Sequence, residues 1–407
     1  MRGLYTLSVR LYAAGVRVAA LFGHAKAKLW VEGRRHFPTA ETDDAPWVWF
    51  HAASLGEFEQ GRPLIEALKA AWPQVKISLT FFSPSGYEIR KNYPLADEVL
   101  YMPIDTLHNA REWVHRHRFI AAFFIKYEFW FNAMKALHDE NIPLYYISLI
   151  LKPDQYFFKG YGRWFRKQFD HVTHFFVQDQ VTHDLLQEAG YSNVTLCGDT
   201  RFDRVAAIAR QVKPFPDIEV FLRGRKCIIA GSTWPPDEQL LVSYLSHLPD
   251  DYCMIIAPHD ISEKHVHQLC TMLHHFQCYT DLDPEKPCQV LVLNTIGILS
   301  QLYQYARFVY IGGGFGVNIH NIQEPVTFGC PVVFGPKHRD FKEAVDLTAL
   351  GGAFCIHSQE ELNRIFDRFI QDEQACQTAS AVCKDYLSTQ LGATQKIMDQ
   401  ITSTFDA

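Results

Sequence analysis

From residue 46 onward, short apolar runs alternate with amphipathic stretches. The runs at 47–53, 77–82, 120–125, 144–149 and 175–177 have the length of buried strands. Between them, 57–72, 107–117 and 182–189 carry helical spacing. Short buried strands alternating with helices predict parallel sheet joined by right-handed crossovers. The rhythm breaks at 206–225, where Lys213-Pro214-Phe215-Pro216 predicts a linker. It restarts with runs at 227–230, 253–257, 290–293, 308–311 and 332–334, and with helical stretches at 237–247 and 262–276. After Ser358 the pattern is helical to the end.

The expected fold is therefore α/β, with two Rossmann-like domains facing across a cleft. The first spans 36–205, a linker occupies 206–225, and the second spans 226–385. A last helix at 386–407 is free to pack back on the first domain. GT-B glycosyltransferases, nucleotide-sugar epimerases and phosphorylases all share this architecture, so it does not by itself settle function. Ligands in open parallel sheets bind beyond the carboxyl ends of the strands, and the chemistry is sought there.

Residues 4–22 are mostly apolar, but Arg10 and Arg17 interrupt them. Either arginine is costly at bilayer depth, which argues against a spanning helix. The spacing predicts an amphipathic helix in a membrane interface, with Arg2, Arg10 and Arg17 on one stripe. The alternative is a helix docked on the protein's own core. Charge sharpens the contrast. The net charge is −6, yet residues 1–35 hold seven basic groups against Glu32 alone. A basic segment on an acidic protein points to an anionic membrane surface and away from nucleic acid. The ten cysteines all lie between Cys197 and Cys383 without a CxxC pair, which reads as reduced thiols. The nineteen histidines show no zinc spacing, so no metal is expected.

Five strand-end segments carry candidate chemistry. In His51-Ala52-Ala53-Ser54-Leu55-Gly56-Glu57, Gly56 suits a tight turn and Glu57 is placed to take a proton from an incoming hydroxyl. The helix dipole alone also favours an acid there. In Lys126-Tyr127-Glu128, Lys126 can hold an acidic group and Glu128 can pair with it, or the two form a structural ion pair. Ala230-Gly231-Ser232-Thr233 suits phosphate contact through backbone N–H groups, or helix capping. It lacks a P-loop lysine. His259 ends the next strand, either on a phosphate or base or merely half exposed. Gly312-Gly313-Gly314-Phe315-Gly316 suits phosphate approach. After it, Asn321 and Glu324 have capping-box spacing, while Glu324 can also meet ribose hydroxyls.

In this order the segments resemble the 3-deoxy-D-manno-octulosonic acid (Kdo) transferases of lipopolysaccharide synthesis, nearly end to end. Ser54 to Glu57 is similar to the family's SVGE motif, and Glu128, Trp130 and Asn132 to its ELWPN-type motif. Gly198 to Asp203 resembles GNxKFD, and Gly231-Ser232-Thr233 with Asp237-Glu238 resembles GST…EE. Asn321 to Pro325 resembles HNxLEP, and Gly335-Pro336 with Phe341-Lys342 resembles GP…NFK. The resemblance implies an inverting GT-B enzyme, without cofactor or metal. It would move Kdo from CMP-Kdo to the 6′-hydroxyl of a lipid A precursor at the cytoplasmic face of the inner membrane. It implies Glu57 as general base. Ser232, Thr233, His259, Gly313, Gly314, Asn321 and Glu324 would hold the CMP part, with Ser54, Gly56, Lys126 and Glu128 at the reaction centre. Residues 1–35 would meet the anionic membrane. The family's Pro-Arg-His segment reads Pro258-His259-Asp260 here, without its arginine. Lys126 and Arg62 are cations where the family carries other groups, and either offers compensation. The alternatives are another GT-B transferase, a nucleotide-sugar epimerase, or an inactive homologue serving as an interaction protein.

Overall fold

The computed structural model describes residues 1–35 and 45–405; the boundary expected at 35/36 adjoins 36–44, outside the described residues. The chain divides into two units, Met1–Asp203 with Leu391–Ala407, and Arg204–Gln390.

The first unit is built on seven parallel strands: β1 (Trp47–Ala52), β2 (Lys76–Phe81), β3 (Glu98–Tyr101), β4 (Phe119–Ile125), β5 (Leu144–Leu149), β6 (His174–Val177) and β7 (Val194–Leu196). Their order is β3-β2-β1-β4-β5-β6-β7. Every residue of β1 is buried. Trp47 and Trp49 pack into one apolar cluster, while Val48, Phe50 and Ala52 pack into another. Burial on both faces is what helices covering a parallel sheet require. His51 falls on the tryptophan side by the strand's two-residue alternation. The helix Leu55–Ala71 follows β1 and buries Phe58, Leu64, Ile65 and Leu68. The chain returns to this unit at Leu391. There the helix Ala393–Phe405 adds Ala393, Ile397 and Ile401 to the second cluster. Asp203 ties it down by accepting the Gly392 and Thr394 N–H groups, each at 2.6 Å.

The second unit has its own seven parallel strands: β8 (Lys226–Thr233), β9 (Tyr252–Pro258), β10 (Phe276–Cys278), β11 (Val290–Val292), β12 (Ala306–Ile311), β13 (Val332–Phe334) and β14 (Ala353–Cys355). Their order is β10-β11-β9-β8-β12-β13-β14. The expected linker is largely helical, with helices at Thr200–Arg210 and Pro216–Leu222. Pro216, which reads as a breaker, starts the second helix, where its missing N–H costs nothing. The helix expected over 262–276 stops at Thr271, because Phe276 begins β10.

At the N-terminus, the helix Arg2–Leu21 is docked along one face. Arg2 donates to the Phe131 carbonyl at 2.7 Å and to Gln168 at 2.6 Å. The Tyr5 hydroxyl donates to Asp105 at 2.5 Å, and Tyr12 packs against Trp30 and Phe82. Arg2 therefore does not share an outward stripe with Arg10 and Arg17. The outward face is apolar instead. Leu4, Leu7, Leu11, Val18 and Leu21 recur at three-, four- and seven-residue steps, all exposed, with Leu21 at 86% and Phe22 at 87%. Arg10 and Arg17 are exposed as well. No helix among the described residues is long and apolar enough to cross a membrane.

Candidate active site

Each sheet has one point where strand order reverses, between β1 and β4 in the first unit and between β8 and β12 in the second. Open α/β sheets bind ligands at this place, where neighbouring connections diverge. Four of the five candidate segments leave these four strands at their carboxyl ends, and His259 follows β9, next to β8.

In the first unit, Glu57 lies in the first turn of the helix Leu55–Ala71. Its Oε2 accepts the Ala53 N–H at 2.6 Å, which folds the carboxylate back over the strand end. Burial, with the negative charge of Glu128 beside it, pushes Glu57 up to about 7; the Ala53 N–H and Lys126 pull the other way. A carboxyl group poised near neutrality is suited to general-base work. Ser54 precedes the helix in extended conformation without a side-chain cap. Gly56 makes no tight turn: it is an exposed helical residue whose added Cβ would meet nothing. Its missing side chain leaves the helix start open.

Glu128 is 8% exposed and is held by two side-chain donors. His51 Nε2 lies 2.9 Å from Oε2, and Trp130 Nε1 donates to the same oxygen at 2.7 Å. His51 Nδ1 sits 2.8 Å from the Thr80 hydroxyl, which accepts from Trp49 Nε1 at 2.7 Å. A proton on His51 Nε2, with Thr80 donating to Nδ1, satisfies every group in this chain. Lys126 is left-handed, with φ 59°, a conformation that bulky residues hold only when their surroundings enforce it. Arg62, the other cation offered as compensation, is occupied by Glu66 at 2.7 Å and Glu59 at 3.7 Å. His51 and Thr80 carry no recognisable motif spacing, and only their shared burial on neighbouring strands brings them into this network.

In the second unit, Ser232 also has positive φ, at 54°. Thr233 is fully buried, and its hydroxyl donates to Glu238 at 3.0 Å, where Glu238 also meets His265 at 3.0 Å. The Thr233 side chain is thus turned into the unit. The glycines likewise serve packing first. A Cβ on Gly312 would stand 2.3 Å from the Ser232 carbonyl, and one on Gly314 2.7 Å from the Gly335 nitrogen. Gly313 has φ +93°, and its N–H is already donated to Asp237 at 2.9 Å. Asp237 further accepts from Tyr310 at 2.7 Å and from the Trp234 N–H at 3.0 Å. Asp237 and Glu238 therefore brace the loops from inside.

What faces outward is a ring stack absent from the sequence reading. Trp234 lies 4.7 Å from His259, centroid to centroid, and His259 lies 4.3 Å from His320. Trp234 Nε1 donates to His320 Nε2 at 2.9 Å. Burial and the neighbouring His259 pull His320 down to about 4, so it stays a neutral acceptor. Asn321 Oδ1 accepts the Gln323 N–H at 2.9 Å and steadies the short helix Gln323–Thr327, in whose first turn Glu324 lies. The helix begins two residues after Asn321, so the capping box takes the form of an Asx turn. Trp234 and His320 directly adjoin quoted motif residues, which was the one available signal for them. Among the described residues there is no cluster of three or more His, Cys, Asp or Glu suited to a metal.

Two such units, each with loops gathered at its switch point, define a GT-B type protein. The solved UDP-GlcNAc 2-epimerase from Neisseria meningitidis has the same fold, with TM-score 0.61 and 13% identity over 88% of this chain and 99% of that one. Residues 27–204 match the family model described as 3-deoxy-D-manno-octulosonic-acid transferase. A 3-deoxy-D-manno-octulosonic acid transferase of Aquifex aeolicus is 24% identical over 339 residues, covering 81% of this chain and 88% of that one. A relative of the same name in Rickettsia prowazekii is 24% identical over 71% of this chain and 64% of its own length. The family-model match and these relatives support the Kdo transferase family of glycosyltransferases for this chain.

Proposed function

We propose that this protein transfers Kdo from CMP-Kdo to the 6′-hydroxyl of a lipid A precursor, with inversion at the sugar's anomeric carbon. In this reading Glu57 takes the proton of the acceptor hydroxyl as its oxygen forms the new bond. The bond from the anomeric carbon to the CMP phosphate breaks on the opposite side, and CMP leaves with the electron pair. The observation that carries the reading is Glu57 itself: a carboxylate at a strand-end helix start, pushed up to about 7 by burial and by Glu128. Glu128, Lys126, Ser54 and Gly56 would shape the sugar and hydroxyl side of the reaction.

The donor's nucleotide falls to the second unit. Ser232, His259, Asn321 and Glu324 are the residues there that would contact it. Thr233, Gly313 and Gly314 would set the shape of the loops. The flat faces of Trp234, His259 and His320 suit an aromatic base. The outward apolar stripe of the Arg2–Leu21 helix, beside Arg10 and Arg17, supports a position on the cytoplasmic face of the inner membrane.

The test is CMP release from CMP-Kdo, with and without a detergent-dispersed lipid A precursor. Acceptor-dependent release with Kdo on the lipid is expected. A folded protein that releases no CMP from this donor would sink the assignment, and other nucleotide sugars would then be screened on the same fold.

A further inference from the structure

The helix Phe131–Asp139 starts directly after the segment that carries Lys126, Glu128 and Trp130. A helix start leaves its first N–H groups without partners, and a Ser, Thr, Asp or Asn at the N-cap ordinarily accepts one. Here the N-cap is Trp130, whose indole cannot accept and already donates to Glu128 at 2.7 Å. The cap comes from elsewhere in the chain. Asp105, in the loop between β3 and the helix Leu107–Val114, accepts the Asn132 N–H on Oδ2 at 3.1 Å and the Ala133 N–H on Oδ1 at 2.8 Å. Its carbonyl also accepts from Asn132 Nδ2, at 2.6 Å.

Asp105 is buried and is held from its other side by the first turns of the helix Arg2–Leu21. The Tyr5 hydroxyl donates to Oδ2, and Arg2 donates to the Phe131 carbonyl at 2.7 Å and to Asn132 Oδ1 at 3.3 Å. The carboxylate is thus fixed between two helices and cannot follow a shifting helix start. Burial pushes its pKa up to about 6, against the pull of these donors and of Arg2, so it is mostly ionised where Glu57 titrates.

The segment of the candidate site is therefore pinned at both ends. At the sheet end, Lys126 donates its N–H to the Ile147 carbonyl at 3.0 Å, and the Glu128 carbonyl accepts from the Tyr146 hydroxyl at 2.8 Å. At the helix end, the Trp130 carbonyl accepts the Met134 N–H at 2.8 Å, within the turn that Asp105 caps. Loss of the cap frays this turn first, and with it the indole that stabilises the Glu128 charge. A carboxylate that loses a donor takes up a proton more readily or turns toward water. Either course lessens the negative charge beside Glu57, while Lys126 keeps its tie to the sheet.

We propose that Asp105 is a positioning residue of the active site: it caps the helix Phe131–Asp139 from a separate loop, holds the Trp130 indole on Glu128, and so sets the charge that Glu57 experiences. The proposal rests on the reading of Glu57 as the base, yet the tie between Asp105 and Trp130 can be measured without turnover.

The experiment uses the full-length protein and compares Asp105→Asn, which keeps the shape and one acceptor, with Asp105→Ala, which removes both. Asp97→Asn is the control, because Asp97 also braces a backbone N–H of this unit, that of Ile77 at 2.8 Å, together with Lys69 rather than the site segment. Circular dichroism selects the folded variants, and Asp105→Asn is read alone where the alanine variant does not fold. The Trp130 indole N–H resonance, assigned by its loss in Trp130→Phe, should move in both Asp105 variants and stay in place in Asp97→Asn. The acid limb of the kcat/KM profile should fall by about half a pH unit or more in Asp105→Asn, and further in Asp105→Ala, with CMP affinity within about twofold of wild type. In the Glu128→Gln background, Asp105→Asn should shift the limb no further, because its effect passes through Glu128. An unmoved resonance, an unmoved limb, an equal shift in Asp97→Asn, or an additive shift in the Glu128→Gln background would overturn the proposal. CMP release by the wild-type protein is scored separately. Its absence would refute the transfer reading, and the Trp130 resonance would then decide the tie to Asp105 on its own.

Discussion

His51 Nε2 and Glu128 Oε2 lie 2.9 Å apart, joining the tail of β1 to the loop that leaves β4. These strands are the neighbours at which the first sheet reverses its order. A buried carboxylate is retained only when its charge is compensated and its lone pairs are satisfied. Here the imidazole and the Trp130 indole supply hydrogen bonds to one carboxylate oxygen. That arrangement keeps a negative charge beside Glu57, which in turn helps raise the proton affinity of Glu57. The geometry thus assigns different tasks to two acids of the same unit.

The first consequence concerns Glu57 as base. Glu57→Gln keeps the shape and the helix start but cannot accept a proton. Transfer should fall by at least about 10²-fold, in the range typical of general-base loss. Binding of CMP by calorimetry should stay within twofold. Transfer that persists at near wild-type rate would remove Glu57 from this role.

Glu128→Gln tests the coupling between the two acids. Wild-type transfer should rise with pH and reach half its plateau near 7, where Glu57 loses its proton. Removing the Glu128 charge removes the second of the two influences that raise Glu57, so the acid limb should move to lower pH. Burial is the larger influence and remains, so the limb should not return fully to the ordinary carboxylate range. A pH–rate profile of kcat/KM decides it; an unmoved limb would separate the two groups.

The same shift has a stability consequence of unusual sign. The folded state holds the Glu57 proton more tightly than the unfolded chain does. Between the ordinary carboxylate value and about 7, the native state therefore binds more protons, and stability falls as pH rises through that window. Glu57→Gln should flatten this slope. Its Tm should match wild type near pH 4.5 and exceed it at pH 8. Parallel Tm curves across that range would contradict the burial of Glu57.

How much of this was legible in the chain follows from where the signals lie. The four strands that apolar runs did not reveal are β3, β7, β10 and β14, which are the four sheet edges. An edge strand is short and only partly covered; Glu98–Tyr101 has one fully buried residue and Phe276–Cys278 has none. It therefore lacks the continuous apolar run that marks β1 or β9. Central strands, and with them both switch points, were readable because they are buried on both faces. The motifs ending those strands were found for the same reason. The role of His51, and the residues Thr80, Trp234 and His320, escaped because they depend on partners across strands or loops. The glycines of the second unit were found as a pattern, but their use for packing was not. Composition cannot tell a glycine that admits a ligand from one that admits another stretch of backbone.

That distinction yields a contrast between two glycines. In Gly314→Ala the new Cβ would stand 2.7 Å from both N and Cα of Gly335, and backbone cannot swing aside as a long side chain can. The Gly312–Gly316 loop and the Gly335 turn must separate, which disrupts the rigid packing of that interior. A loss of about 1–3 kcal/mol is expected, typical of overpacking. In Gly56→Ala the Cβ meets nothing, and alanine is the better helix former by about 1 kcal/mol. Stability should rise slightly. Activity tells whether the open helix start matters: a methyl group there should hinder a substrate hydroxyl approaching Glu57 and raise KM, with the fold intact. Chemical denaturation measures the first pair of effects and initial rates the second. If Gly314→Ala unfolds like wild type, the two loops are not in contact as described. If Gly56→Ala leaves KM unchanged, the space above the helix start is not on the acceptor's path.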